Sequence, residues 1–295
     1  MTIIRNLNDW QRRPSDYRVV ANNISVLMAD PHFFSVAEAQ NNHMHDEHGN
    51  LHKIDIAQAK AEWQQLRDSF INNGLSVDVL DAHPELPDLC FTANPSFIVP
   101  HYQHMWCGNM SHESRRPETE MHLRFFKSRG YQSMVLENKN LKFEGHGDGV
   151  WHPQRFLLHA AVGQRSDLAA WQEIDAAYPE LDILLYELQN PDFYHLDTAL
   201  ACLDQTTALV IKQAFTDEAY QLICAAFPDA IELSSEEAYK FAGNAFCPDG
   251  INVFLEQGCD QLNASLRLRG FKPQPVATEQ FRLSGGSVFC LKQSF

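Results

Sequence analysis

Hydrophobic positions along this chain switch repeatedly between two periods. Short runs that are apolar or alternate with polar residues predict strands over 24–29, 77–80, 96–99, 132–136, 156–161, 181–186, 251–255, 275–277 and 287–291. Between them the spacing lengthens to three and four residues. Ile56, Trp63, Leu66 and Phe70 share one face of a helix predicted over 56–73, with Gly74 as its stop. Met121, Phe125 and Phe126 do the same for 117–129, ahead of Gly130. Further helices are predicted over 167–178, 216–226 and 260–268, and Ser234 with Glu237 forms a capping-box pattern opening a helix to 241. Segments 196–202 and 208–212 read as a strand pair.

Strand and helix alternate over the whole length, and no Pro/Gly/Ser-rich linker interrupts them, which predicts one α/β domain over 1–295 with 1–22 as an N-terminal extension. No repeat is visible at the level of residues.

Composition narrows the function classes. The 295 residues carry 23 Lys and Arg against 38 Asp and Glu, a net charge of −15, which disfavours nucleic acid or an anionic membrane as partner and is compatible with a cationic substrate. No apolar run is long enough to cross a membrane, and residues 1–20 lack the apolar stretch of a secretory signal, so the expectation is a cytoplasmic protein. The seven cysteines form no CxxC pair and are expected as reduced thiols. His43, His45, His48 and His52 read as a polar loop, so no metal and no cofactor is expected. Glycine is frequent over 144–149, but the segment does not match the GxGxxG of a dinucleotide-binding turn, which disfavours a nucleotide.

Several residues could carry chemistry. Cys290 follows the turn Ser284-Gly285-Gly286-Ser287, where two glycines let the backbone approach a ligand. Taken alone it also reads as a buried strand cysteine. If 194–198 is extended, His195 and Asp197 point to one side and line one cavity; the plainer reading is a hydrogen-bonded core histidine beside a surface acid. Glu144 and Asp148 flank Gly145 and Gly147 on a turn from which acids could reach a bound cation. Asn94, before Pro95, could offer a substrate both a donor and an acceptor.

The order of these signals is more specific than any one of them. LPDLCFTAN (86–94), FEGHGD (143–148), FYHLDT (193–198), FAGNA (241–245) and SGGSVFCL (284–291) together resemble the guanidine-modifying, or pentein, superfamily. Within it the resemblance is to the arginine dihydrolases of the cyanobacterial type, over about residues 24–291. Two stretches depart from that pattern: Asn42-His43 stands where the relatives have Pro-Trp, and Phe289 where they usually carry Lys before the cysteine.

The resemblance implies a five-bladed α/β propeller of pseudo-fivefold ββαβ units around a central acidic pocket. It implies Cys290 as nucleophile, His195 as general acid and base, and Glu144 as the third member of the triad. Asp197 would help clasp the guanidinium, with Asp148 as a further acid near the substrate. Asn41, Arg115 and Asn244 match positions that hold the amino-acid end or shape the pocket, and Asn94 stands where deiminases carry Asp. A neutral amide there tolerates a ureido group as well as a guanidinium. The expected activity is therefore arginine dihydrolysis to ornithine, ammonia and carbon dioxide through a covalent thiouronium intermediate. A deiminase, a hydrolase of dimethylarginine or citrulline, an amidinotransferase and a catalytically silent pentein are the alternatives. The expected partner is a small guanidino or ureido compound, with neither nucleic acid nor membrane, and a homo-oligomer is left open.

Overall fold

A computed structural model describes residues 2–295, apart from the side chains of Thr2 and Pro100. Its strands fall into five separate sheets built on one plan. In the second, Ser96–Val99 pairs antiparallel with His104–Cys107, the helix Glu118–Ser128 crosses over, and Gln132–Met134 returns parallel to the middle strand. A parallel neighbour requires such a crossover, whereas an antiparallel one needs only a turn.

The third sheet repeats this with Gly149–Trp151, Leu157–Val162, the helix Leu168–Ala177 and Asp182–Glu187. The fourth uses Leu200–Cys202, Ala208–Val210, the helix Asp217–Ala226 and Ile231–Glu232. In the fifth, Asn252–Glu256 and Lys272–Val276 run parallel around the helix Asp260–Leu268, and a single antiparallel bridge from Phe246 to Phe254 stands in for the first strand. The first sheet joins the two ends of the chain: Gln293–Ser294 lies antiparallel to Ser25–Ala29, which pairs parallel with Ser76–Leu80 after the helix Ile56–Asn72.

Local chemistry sets these boundaries. The Asp55 carboxylate accepts from the backbone of Ala57 and Gln58 to start the first long helix, and Gly74, at φ +90°, lets the chain turn out of it. Thr216 caps Asp217–Ala226 through the backbone N–H of Ala219. Leu157–Ala161 is buried throughout, as expected of a strand covered on both faces. The N-terminal segment, expected as an extension, contributes Thr2–Ile4 as a parallel edge strand against Asp182–Leu184. Among the described residues no helix is long and apolar enough to cross a membrane.

Two predicted strands are corrected. Residues 196–199 form a helical turn, Leu196–Ala199, and the strand begins only at Leu200. The Thr198 hydroxyl and its N–H both return to the His195 carbonyl, which curls the segment. Residues 287–291 are a turn rather than a strand, because the backbone N–H groups of Ser287, Phe289 and Cys290 all converge on the side-chain carbonyl of Asn244. Three donors aimed at one oxygen cannot also form a ladder.

One consequence of the shared plan places the chemistry. Seven of the residues singled out from the sequence stand just ahead of the first strand, or first bridge, of their unit: Asn94 in the second, Glu144 and Asp148 in the third, His195 and Asp197 in the fourth, Asn244 in the fifth and Cys290 in the first; Asn41 and Arg115 lie instead between the middle strand and the crossover helix of the first and second units.

Candidate active site

Cys290 is 2% exposed and borders a small cavity with Asn41, Asn94, Arg115, Arg165, Asp88 and Tyr194. Its thiol donates to Asp197 Oδ2 at 3.2 Å and accepts from Asn244 Nδ2 at 3.3 Å. The same Nδ2 donates to the Asp197 carbonyl at 2.8 Å. Asn244 therefore fixes both the turn that carries Cys290 and the turn that carries Asp197. Gly286 is required on that turn, since a Cβ there would stand 2.5 Å from the Phe91 ring and 3.1 Å from the Cys290 Cβ. Gly285 holds φ at +86° and packs against the Asn41 side chain, whose Nδ2 donates to the Ser284 carbonyl.

Glu144 is completely buried and engages His195 Nε2 at 2.8 Å. It also pairs with Arg165 Nη1 at 3.1 Å and accepts from the backbone N–H and hydroxyl of Ser111. Burial opposes its ionisation, but the Arg165 guanidinium and the His195 bond outweigh burial and hold the carboxyl well below its ordinary range. Because the ionised acid only accepts, Nε2 carries the proton of that bond and Nδ1 is left to exchange one. Among the described residues no hydrogen bond joins His195 to Cys290.

The other acids behave differently. Burial raises Asp197 to about 7 and Asp148 to about 6. Asp148 Oδ1 accepts from the Leu196 N–H at 3.2 Å, so it positions the His195 turn and is not among the residues bordering the cavity. The thiol of Cys290 is pushed well above its ordinary value by burial first and by the Asp197 charge second. With no substrate bound, alkylation of Cys290 by iodoacetamide is therefore expected to be slow at neutral pH and to accelerate as pH rises past 9. Peptide mass spectrometry over a pH series reads this, and a rate that levels off below pH 7 would contradict it.

Asn94 and Arg115 also border the cavity. Arg115 is clamped by Glu118 at 3.0 and 2.8 Å and donates through Nη1 to Asn94 Oδ1 at 3.1 Å. That leaves Asn94 Nδ2, buried and without a partner, as the free donor of the site. Gly147 makes room for it, since a Cβ there would lie 2.5 Å from Nδ2 and 3.2 Å from the His195 ring.

Several members were not evident in the sequence. Arg165 and Ser111 lie in loops without a motif and become visible only once Glu144 is found to need a counter-charge. Gln40 accepts from Arg165 through its carbonyl and donates to Asp88 through its side chain. The His-rich segment beyond it docks on Asp192, through Asn42 Nδ2 at 2.8 Å and His43 Nε2 at 2.8 Å. Among the described residues no group of His, Cys, Asp and Glu is placed to hold a metal ion.

A buried cysteine bonded to Asp197 and a histidine paired to a buried glutamate lie beside one small cavity whose described border holds the acid Asp88, groups of the kind that can bind a cation and attack its carbon. Comparison with known proteins points the same way. A family model described as N,N dimethylarginine dimethylhydrolase, eukaryotic, matches residues 30–292, and the chain belongs to this family within the pentein superfamily of guanidino-modifying proteins. It is 36% identical to the N(G),N(G)-dimethylarginine dimethylaminohydrolase of Mycobacterium tuberculosis, over 89% of this chain and 83% of that one. It is 29% identical to the bifunctional arginine dihydrolase/ornithine cyclodeaminase AgrE of Nostoc, over 91% of this chain but only 37% of that one. Among solved structures, the N-terminal domain of the cyanobacterial arginine dihydrolase ArgZ, bound to substrate, superposes with a TM-score of 0.86 at 26% identity, covering 92% of this chain and 98% of that domain. These relatives are guanidino-group hydrolases, and the chain is a C–N hydrolase of that kind.

Proposed function

We propose that this protein is an arginine dihydrolase: a cytoplasmic enzyme whose 295 residues form one catalytic domain, the five sheets standing as the blades of a propeller around the cavity. Cys290 is the nucleophile, His195 the general acid and base, and Glu144 the acid that orients the imidazole. Asp197 meets the guanidinium, and Asn41 and Arg115 face the amino-acid end.

The chemistry runs in two rounds. Arginine brings a positive charge beside Asp197 and Cys290, which favours loss of the thiol proton. The thiolate adds to the guanidinium carbon, and His195 protonates the departing nitrogen, which leaves as ammonia. The resulting thiouronium is attacked by a water that His195 deprotonates, and citrulline is released with the thiol restored. In the second round the thiol adds to the ureido carbon and a second ammonia leaves. A second water then frees ornithine and carbon dioxide. Arginine and two waters give ornithine, carbon dioxide and two ammonia.

The observation that carries this reading over a deiminase is Asn94. Its unpartnered Nδ2 can donate to a neutral ureido oxygen, and no carboxylate stands in its place to demand a cation. A second reading has its own support. The family match and the 36% identity to the Mycobacterium tuberculosis enzyme favour dimethylarginine, which the same residues would convert to citrulline and dimethylamine.

Product analysis separates the two. Incubation with arginine, citrulline and dimethylarginine in turn is expected to give ornithine with two ammonia per arginine. Citrulline with a single ammonia would make the enzyme a deiminase, and dimethylamine from dimethylarginine with arginine untouched would establish the second reading.

A further inference from the structure

The turn that carries Cys290 also borders a second cavity. Cys290 faces the small one; Phe289 and Lys292 line a larger, open-mouthed cavity of about 100 Å3 together with Trp151, Phe156, Phe246 and His152. This cavity is unusual for a chain of net charge −15, because no Asp or Glu lines it. Lys292 is 1% exposed, yet among the described residues its ammonium has no hydrogen bond and no carboxylate within 4.0 Å. Its Nζ lies instead over two aromatic faces, 3.2 Å from the Phe289 ring centre and 4.4 Å from that of Phe246. Buried charges are ordinarily paired, and two ring faces compensate for lost water only in part.

The histidines beside it supply no second cation. Burial lowers His146 to about 3 and His152 to about 4, so both are neutral at physiological pH. Burial also lowers Lys292, to about 7, and the Asp197 and Cys290 charges act against that fall. A bound anion would do the same at shorter range. The remaining wall is flat and apolar: Trp151 stacks on Phe156 with centroids 5.5 Å apart, and its indole N–H is already committed to the Ile98 carbonyl.

We propose that this cavity binds a small aromatic carboxylate, with Lys292 pairing its carboxylate and Trp151, Phe156 and Phe246 covering its ring. One lone cation in an aromatic-walled cavity selects a ligand with a single negative group on a flat apolar body. A guanidinium or other cation is excluded by the same residue. The site is separate from the cavity that Cys290 borders, and its occupancy does not depend on which guanidino compound the enzyme turns over.

Trp151 supplies the reporter. Titration of the full-length protein with sodium benzoate is expected to change tryptophan fluorescence saturably, with a 1:1 stoichiometry confirmed by calorimetry. Benzamide, the neutral isostere, should bind roughly tenfold more weakly or worse, and Lys292→Met should lose benzoate to the same degree, because a charge-assisted contact is removed in each case. Trp151→Phe should abolish the optical change while leaving the heat of binding. Equal affinity for benzoate and benzamide, unchanged benzoate binding in Lys292→Met, or the absence of saturable binding would each overturn the assignment. The benzoate and benzamide comparison uses unaltered protein and so stands even if Lys292→Met folds poorly.

Discussion

Cys290→Ala is expected to reduce arginine turnover by about a thousandfold or more, to background, while arginine still binds. The reasoning rests on how few groups at the site could replace the sulfur. His195 Nε2 is committed to Glu144, and the acids present are poor nucleophiles toward a guanidinium. The thiol itself contributes little to holding the ground state: it is one donor to Asp197 and one acceptor from Asn244. Its removal leaves the Asn244 carbonyl still bonded to the backbone of Ser287, Phe289 and Cys290, so the turn keeps its shape. Binding and chemistry thus separate. The check is calorimetric arginine binding beside a turnover assay on the same preparation. Turnover within tenfold of the unaltered protein would remove Cys290 as nucleophile, and loss of binding would place the thiol in recognition instead.

A raised thiol in the resting site does not oppose that role. Burial and Asp197 keep Cys290 protonated in the resting site, and in the proposed mechanism the guanidinium is the cation that releases the proton. Lys292, on the far side of the same turn, is a buried lysine whose protonated form interacts with both Asp197 and Cys290.

Much of this was legible along the chain. The long amphipathic helices 56–73, 117–129 and 260–268 were readable to within a residue or two, because their period and stop signals agree. The five motifs were legible as chemistry but not as a repeat. They share a position ahead of their strands and no residue pattern, so the plan appears only when the sheets are laid out. The strands His104–Cys107 and Gly149–Trp151 were missed. The segments misread as strands, 196–199 and 287–291, are those where side chains capture backbone groups: Thr198 at one, Asn244 at the other. Long-range partners of that kind leave no local trace. Arg165 is the same case, a loop arginine whose importance depends on a carboxylate 21 positions away in sequence.

Asn94→Asp is the substitution that should change what the enzyme makes. In the unaltered protein the side-chain oxygen is held by Arg115 Nη1 at 3.1 Å, and the free Nδ2 is the group proposed to meet the substrate. Replacing that amide nitrogen with a carboxylate oxygen turns a donor into an acceptor at fixed shape. A guanidinium, which only donates, gains an acceptor and is held at least as well. A ureido oxygen, which only accepts, loses its donor and meets a negative charge instead. An unmade bond of this type in a buried site costs about 1–3 kcal/mol, or roughly ten- to a hundredfold in rate on citrulline. The first round should therefore survive and the second should stall, so that citrulline accumulates where ornithine did. Arg115 lies within reach to neutralise the new charge, and Glu118 already holds that guanidinium in place, which argues that the variant folds. Time-resolved quantification of citrulline and ornithine from arginine reads the outcome directly. An unchanged product ratio with normal arginine consumption would mean that Asn94 does not select between the two rounds. The case for a dihydrolase would then have to rest on another residue of the pocket.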